Sequence, residues 1–347
     1  MKTKLLLALL FSMLASTVHA GINGKPVILV HGFQVEDLQN NPPNEAFLNQ
    51  RSIEYFGEFW TQRADDHHYF SSAERVSGAI KNQFKRHFQE LESNGKCAQG
   101  CIWVTHSTGD LVLRDALSRL GQWGIDQNRV KVLAVVDLAG AGGGTELADL
   151  AVTVSQGGGL VQNSIRTVVG LFLGISVIPD NLGVINDLRP ATARSIAPQN
   201  QAFPRLRFVG TGSAFASLTK PFIEGSDDSV VPLHSSCGAR FAGNYESCDS
   251  SIRVNGQLKG SRAPSSLLFN HFVVLMGESA DHFEVITDDT AGGNYATVVN
   301  ERTFNGLRVD FDDVTERKWW SWFTKVRTLR NGDRKSMSRN IYETLDN

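Results

Sequence analysis

The sequence predicts an α/β fold in which a mostly parallel central sheet is flanked by helices. Two observations predict it. Four short runs rich in Val, Ile and Leu, at 26–30, 101–105, 130–138 and 206–210, are nearly continuous in apolar residues rather than alternating, interrupted by Thr105, Lys131, Asp137 and Arg207. Strands of that kind are buried on both faces, as in parallel sheets covered by helices. Between the runs lie segments with apolar residues at helical spacing, closed by caps and glycines.

The elements follow in order. Lys2 and Lys4 precede an apolar stretch, and Val18-His19-Ala20 ends in a small residue before Gly21. That is the make-up of a secretory signal over residues 1–20, cleaved after Ala20, with an uncleaved N-terminal anchor as the alternative. Residues 21–347 are then the mature domain, placed in the periplasm or outside the cell. No later stretch is long and apolar enough for a membrane helix; the nearest, 168–178, is too short.

The run 26–30 (PVILV) is the first strand. Residues 71–94 read as one helix. Ser71-x-x-Glu74 is its capping box, Val76, Ile80, Phe84, Phe88 and Leu91 are its apolar face, and Asn94-Gly95 is its end. Residues 101–105 make the second strand and 110–120 the next helix. Residues 130–138 and 206–210 make the third and fourth strands.

Between Gly140 and Pro204 glycines cluster and the segment "TVVGLFLGISVIP" is apolar but interrupted. It reads either as a buried helix or as a greasy lid-like insertion over the sheet, about 142–200. No G-x-G-x-x-G with a helix behind it can be drawn, which excludes a dinucleotide site. In a C-terminal extension, about 291–347, Asp313-x-x-Glu316 reads as the cap of a helix carrying Trp319, Trp322, Phe323 and Val326 on one face.

The chain of 347 residues is 41% hydrophobic and has a formal net charge of −2. It can bury a substantial core, and its charge leaves no nucleic-acid footprint. Four cysteines in an exported chain predict disulfides. Cys97–Cys101 with Cys237–Cys248 closes the shortest loops. A zinc site lacks a histidine at ligand spacing nearby.

The functional signal lies at 101–117, "CIWVTHSTGDLVLRDAL". Here a strand turns sharply into a helix at Ser107. A serine hydroxyl becomes a nucleophile only with a base in reach, a group to orient that base, and donors aimed at the oxyanion. A strand-to-helix elbow lifts the hydroxyl off the backbone and aims free helix N–H groups at the developing charge. Residues 105–109 fit G-x-S-x-G, with Thr105 in place of the first glycine and Gly109 present.

In that context the chain resembles the α/β-hydrolase fold with a lid or cap, and within it the secreted bacterial lipases and esterases, over roughly residues 25–290. Three further segments carry the resemblance. "VHGF" follows the first strand and implies Phe33, with Thr108, as the oxyanion-hole donors. "EGSDDSVVPLHSS" implies Asp228 as the acid, with Ser229 where glycine is usual; Asp227 and Asp137 are the alternatives. "ESADHFEVITDD" implies His282 as the base, ahead of His234 and of His271, which reads as a core histidine. The order Ser107, Asp228, His282 is that of this fold. His106 is implied to pack against the sheet, and His67-His68 reads as a solvated loop. Glu284 could offer calcium one oxygen, but no partner aspartate is evident, so neither metal nor cofactor is expected.

The sequence therefore predicts an exported carboxylic ester hydrolase acting on lipid or other apolar esters, with transient lipid-interface contact. A polyester depolymerase of the same fold and an inactive hydrolase fold used as a binding module are the alternatives.

Overall fold

The structure is a computed structural model. It describes residues 21–347 except 41, 43, 158–162, 197–201, 240–250, 259–269, 291 and 321. The chain places twelve strands in the order β1 (Val27–Val30), β2 (Asp66–His68), β3 (Cys101–His106), β4 (Val132–Leu138), β5 (Arg205–Gly210), β6 (Gln257–Leu258), β7 (His271–Gly277), β8 (Tyr295–Thr297), β9 (Glu301–Phe304), β10 (Leu307–Asp310), β11 (Asp313–Arg317) and β12 (Lys325–Leu329).

Seven of them form the central sheet, in the order β2-β1-β3-β4-β5-β7-β8. All neighbours pair in parallel except β8, which runs antiparallel to β7. The four strands expected from the sequence are the middle of this sheet. Every residue of β1, β3, β4, β5 and β7 is buried, as strands covered on both faces must be. One apolar cluster lies on one face, with Val30, Trp103, Val135 and Leu113 among its members. A second lies on the other, with Leu29, Val104, Val136 and Phe208.

Three expectations are corrected. His67 and His68 belong to edge strand β2, not to a solvated loop. His68 is buried, stacked on His87 at 4.5 Å and edge-on to Trp103 at 4.8 Å. The helix at 71–94 is regular only over Lys81–Asn94. It is preceded by a π-turn at Val76–Ile80 in which Gly78 leaves helical geometry. Ser71 and Glu74 form a turn ahead of it, and the Val76 N–H is taken by the Asp187 carboxylate at 2.8 Å, a cap from distant sequence. The apolar face itself is buried as expected.

The third correction is at 313–326. No helix forms there among the described residues. Residues Asp313–Arg317 and Lys325–Leu329 are β11 and β12, paired antiparallel with Arg317 opposite Lys325. β12 in turn pairs with β6. Val326 is buried on the sheet, whereas Trp319, Trp322 and Phe323 lie in the connection, so the helical spacing of these residues had no partner face.

The segment 140–204 contains the helices Glu146–Ser155 and Asn163–Leu173. The second packs one side on the core. Val168, Val169 and Leu173 are buried, while Leu171 and Phe172 line an open groove. A disulfide joins Cys97 and Cys101 as expected. Cys248, the expected partner of Cys237, lies outside the described residues. No helix among the described residues is long and apolar enough to cross a membrane.

Candidate active site

Ser107 follows β3 directly and sits at φ 54, ψ −123, immediately before the helix Thr108–Ser118. A non-glycine residue with positive φ is strained and persists only where its surroundings fix it. Here the Ser107 N–H donates to Leu138 O at 3.2 Å, and its carbonyl accepts from Asp110 N and Ala141 N. The elbow needs close backbone passage. A Cβ on Gly109 would lie 2.5 Å from Val30 O and 2.7 Å from His31 O, and one on Gly32 would lie 2.9 Å from the Ser107 Cβ. Both glycines are therefore steric requirements of this corner.

Thr105 departs from glycine for a reason the sequence could not display. Its hydroxyl donates to Asp137 Oδ1 at 2.8 Å, inside a fully buried ionic cluster. Arg207 donates to Asp137 Oδ2 at 2.6 Å and Arg205 to Asp110 Oδ1 at 2.5 Å. Asp110, in the first turn of the Ser107 helix, also accepts from Gly142 N at 3.0 Å. The two carboxylates divide the charge. Burial opposes ionisation of Asp110, but Arg207, Arg205 and Arg114 together hold it below the usual carboxylate range. Burial and the Asp110 charge push Asp137 up to about 7. The cluster pins the start of the helix to the sheet.

His282 follows β7 in a loop shaped by Asp281, whose carboxylate accepts from Phe283 N and Glu284 N. The Glu284 carboxylate is used in return by the Asp281 N–H at 3.1 Å. His282 Nδ1 lies 2.8 Å from Asp228 Oδ2. The other Asp228 oxygen accepts from Val230 N at 3.0 Å and Val231 N at 2.7 Å, and the Asp228 carbonyl accepts from His282 N at 3.0 Å. The carboxylate is an acceptor only, so Nδ1 carries the proton and Nε2 is left as the basic nitrogen. Ser229, where glycine is usual, has φ 82, and its hydroxyl accepts from Ala214 N at 2.8 Å.

Ser107, Thr108, His282 and Phe33 line one cavity of about 150 Å³, walled otherwise by apolar side chains such as Phe172, Leu188 and Val231. Thr108 is the first helical residue, where a backbone N–H has no intrahelical acceptor. Its hydroxyl is also buried with no hydrogen-bond partner among the described residues. An open groove of about 490 Å³ adjoins, sharing Phe33, Tyr55, Phe172 and Phe283.

The loop bearing Phe33 is fixed by His31. This ring is stacked on Phe70 at 4.2 Å, accepts from Phe70 N at Nε2, and contacts Gly32 O through Nδ1. Burial lowers its pKa to about 4, so it is neutral.

The competing residues are placed elsewhere. Asp137 is bound to Arg207 and Thr105. Asp227 gives its carboxylate to Ser229 N, and burial raises its pKa to about 6. His271 lies against the Arg207 guanidinium. His234 contacts Arg194 through Nδ1 and Glu146 through Nε2, both at 2.9 Å. With Glu224 added, His234 and Glu146 are the one group of three ligand-type side chains close enough to share an ion among the described residues. The ring's two nitrogens are already committed.

Two supporting residues were not legible in the sequence. His106 does lie buried against the sheet, but it also contacts the His282 carbonyl through Nε2 at 2.8 Å and the Tyr55 hydroxyl through Nδ1 at 2.6 Å. A carbonyl can only accept, so Nε2 carries the proton and Nδ1 accepts from Tyr55. Burial, with the neighbouring His282, holds His106 well below its ordinary pKa. Tyr55 ends the helix Glu45–Tyr55, whose weak periodicity gave no signal.

No protein-family model and no curated protein matches this sequence. Solved structures do resemble it. The mature form of the Bacillus licheniformis lipase BlEst2 is 16% identical with a TM-score of 0.44, covering 76% of this chain and 86% of that one. The metagenomic carboxyl esterase MGS0156 is 15% identical with a TM-score of 0.40, covering 73% of each. The Staphylococcus hyicus lipase is 13% identical with a TM-score of 0.39, covering 77% and 90%. At these scores the likeness is shallow, and the function proposed below comes from this chain's own geometry.

Proposed function

We propose that this chain is an exported serine hydrolase of the α/β-hydrolase kind that cleaves carboxylic esters with an apolar acyl or alcohol part. The single observation that supports it most is the convergence of an acid-oriented imidazole and a strained serine on one apolar cavity. His282 is held by Asp228 at 2.8 Å, and both His282 and Ser107 line the cavity wall.

In this reading His282 Nε2 takes the Ser107 proton as Oγ attacks the ester carbonyl. The Asp228 carboxylate fixes the tautomer and stabilises the imidazolium. The Phe33 and Thr108 N–H groups receive the oxyanion, where removing one donor costs on the order of a hundredfold in rate. His282 returns the proton to the leaving alkoxide, and water then cleaves the acyl-enzyme with the same base.

The apolar lining and the adjoining aromatic groove support an acyl chain as the bound group. The Cys97–Cys101 disulfide and the signal-like residues 1–20 support export.

The test is hydrolysis of a p-nitrophenyl ester series of rising chain length by wild type, Ser107→Ala and His282→Ala. Wild type turns over, both variants fall to background, and the preferred chain length reports the groove. Equal rates in wild type and Ser107→Ala would overturn the assignment.

A further inference from the structure

The connection between β11 and β12 carries the sequence Lys318-Trp319-Trp320 followed, after residue 321, by Trp322-Phe323. Trp319 is 89% exposed, Trp320 64%, Trp322 83% and Phe323 95%. Half of the chain's six tryptophans are thus in one hairpin tip. None of the four belongs to an apolar cluster among the described residues. Scattered exposed apolar residues are ordinary, but four aromatic rings within five positions are not.

The stem beneath the tip is anchored. β12 is paired with β11 on one side and β6 on the other, and Val326 is buried. The charges around the tip are predominantly positive. Arg317 and Lys325 stand directly opposite each other across the hairpin, a like-charge pairing that is unfavourable on an isolated sheet. Lys318 adds a third cation, its Nζ 5.7 Å from the Trp320 ring centroid. Glu316 is the one carboxylate in 316–325.

From these observations we infer that the β11–β12 tip is a wedge that inserts into the headgroup region of an anionic lipid surface. Tryptophan rings lodge at the boundary between headgroup and acyl chain, with one polar end and one apolar body. Cations just outside them meet anionic headgroups. The ring geometry favours a lipid surface over a polysaccharide. Trp319 and Trp320 meet edge-to-face at 87°, which makes no flat platform for a sugar ring. The inference does not depend on Ser107 being a nucleophile.

The test is co-sedimentation of full-length protein with phosphatidylcholine vesicles, with and without phosphatidylglycerol, alongside tryptophan quenching by brominated acyl chains. Wild type and Ser107→Ala both bind the anionic vesicles, more weakly in high salt, and are quenched. Trp319→Ala/Trp322→Ala/Phe323→Ala loses at least about tenfold in partitioning while keeping wild-type turnover of a soluble short ester. Arg317→Ser/Lys325→Ser loses the preference for phosphatidylglycerol. Unquenched wild-type fluorescence, unchanged binding by the triple variant, or a dimer in sedimentation velocity that only the triple variant loses would overturn the proposal.

Discussion

The His106 ring donates from Nε2 to the main-chain oxygen of His282, 2.8 Å away, and accepts at Nδ1 from Tyr55. The residue beside Ser107 thereby holds the loop that carries His282, the proposed base. His106→Phe keeps the buried ring and loses both bonds. As displacements near an ångström cost up to about a hundredfold, kcat on a soluble ester should fall between tenfold and a hundredfold with KM little changed. Tyr55→Phe should show a smaller loss of the same kind. Steady-state kinetics on both variants checks this; a change confined to KM would contradict the positioning role.

Asp228 offers one oxygen to His282 and the other to two backbone N–H groups. Asp228→Asn keeps the shape but can turn an N–H₂ toward Nδ1, forcing the wrong tautomer. A loss in kcat on the order of ten-thousandfold is expected from that change in serine hydrolases. Asp227→Asn and Asp137→Asn should retain turnover in the folded fraction. A rate for Asp228→Asn within tenfold of wild type would transfer the role elsewhere.

Arg207 bridges toward both buried carboxylates, at 2.6 Å from Asp137 and 3.3 Å from Asp110. Removing one partner of a buried ion pair typically costs about 3–5 kcal/mol. Arg207→Met should lower unfolding stability by about that amount. Thr105→Val, which takes one neutral donor from Asp137, should cost about 1–3 kcal/mol. Denaturant titration of the two variants orders them.

Gly109 faces two main-chain oxygens at distances no Cβ tolerates, and they belong to backbone rather than to flexible side chains. Gly109→Ala should give misfolded or inactive protein, whereas Gly121→Ala, with open space around it, should be silent. Circular dichroism and ester turnover separate the two.

Burial holds His31, His68, His106 and His271 below the ordinary histidine range, with His31 at about 4. In the unfolded chain these rings take up protons near pH 6.5. The folded state binds fewer protons between that pH and the folded pKa, so stability is present above pH 6.5 and is lost as pH falls toward 4. His31 alone contributes about 3 kcal/mol to that loss. Asp137 and Asp227, raised by burial to about 7 and about 6, act in the opposite direction over the same range, so the measurement is comparative. His31→Phe should lose less stability than wild type between pH 7.5 and pH 4.5; an identical profile in the two proteins would contradict a neutral buried ring.

Most of the sheet was legible because its strands are doubly buried and therefore largely apolar, as 26–30 and 130–138 show despite Lys131 and Asp137 in the second. Edge strand β2, with Asp66, His67 and His68, has no such composition, and the contacts of His68 with His87 and Trp103 come from distant sequence. The three candidate catalytic side chains could be picked because each sits in a local motif. Their supports could not. Asp187 caps a helix 111 residues away in sequence, and Tyr55 reaches His106 across 51, contacts that no local pattern encodes. Thr105, in place of the motif's first glycine, is a donor to a buried carboxylate, which the motif alone does not encode. The 313–326 stretch misled because Trp319, Trp322, Phe323 and Val326 have helical spacing, yet three of them are on a solvent-facing turn.

The most direct measurement of the central claim is covalent capture with a fluorophosphonate, followed by peptide mapping. The account predicts one stoichiometric adduct, on Ser107, absent from Ser107→Ala and slowed in His282→Ala. A folded wild-type protein that takes no label, or takes it on another residue, would contradict it.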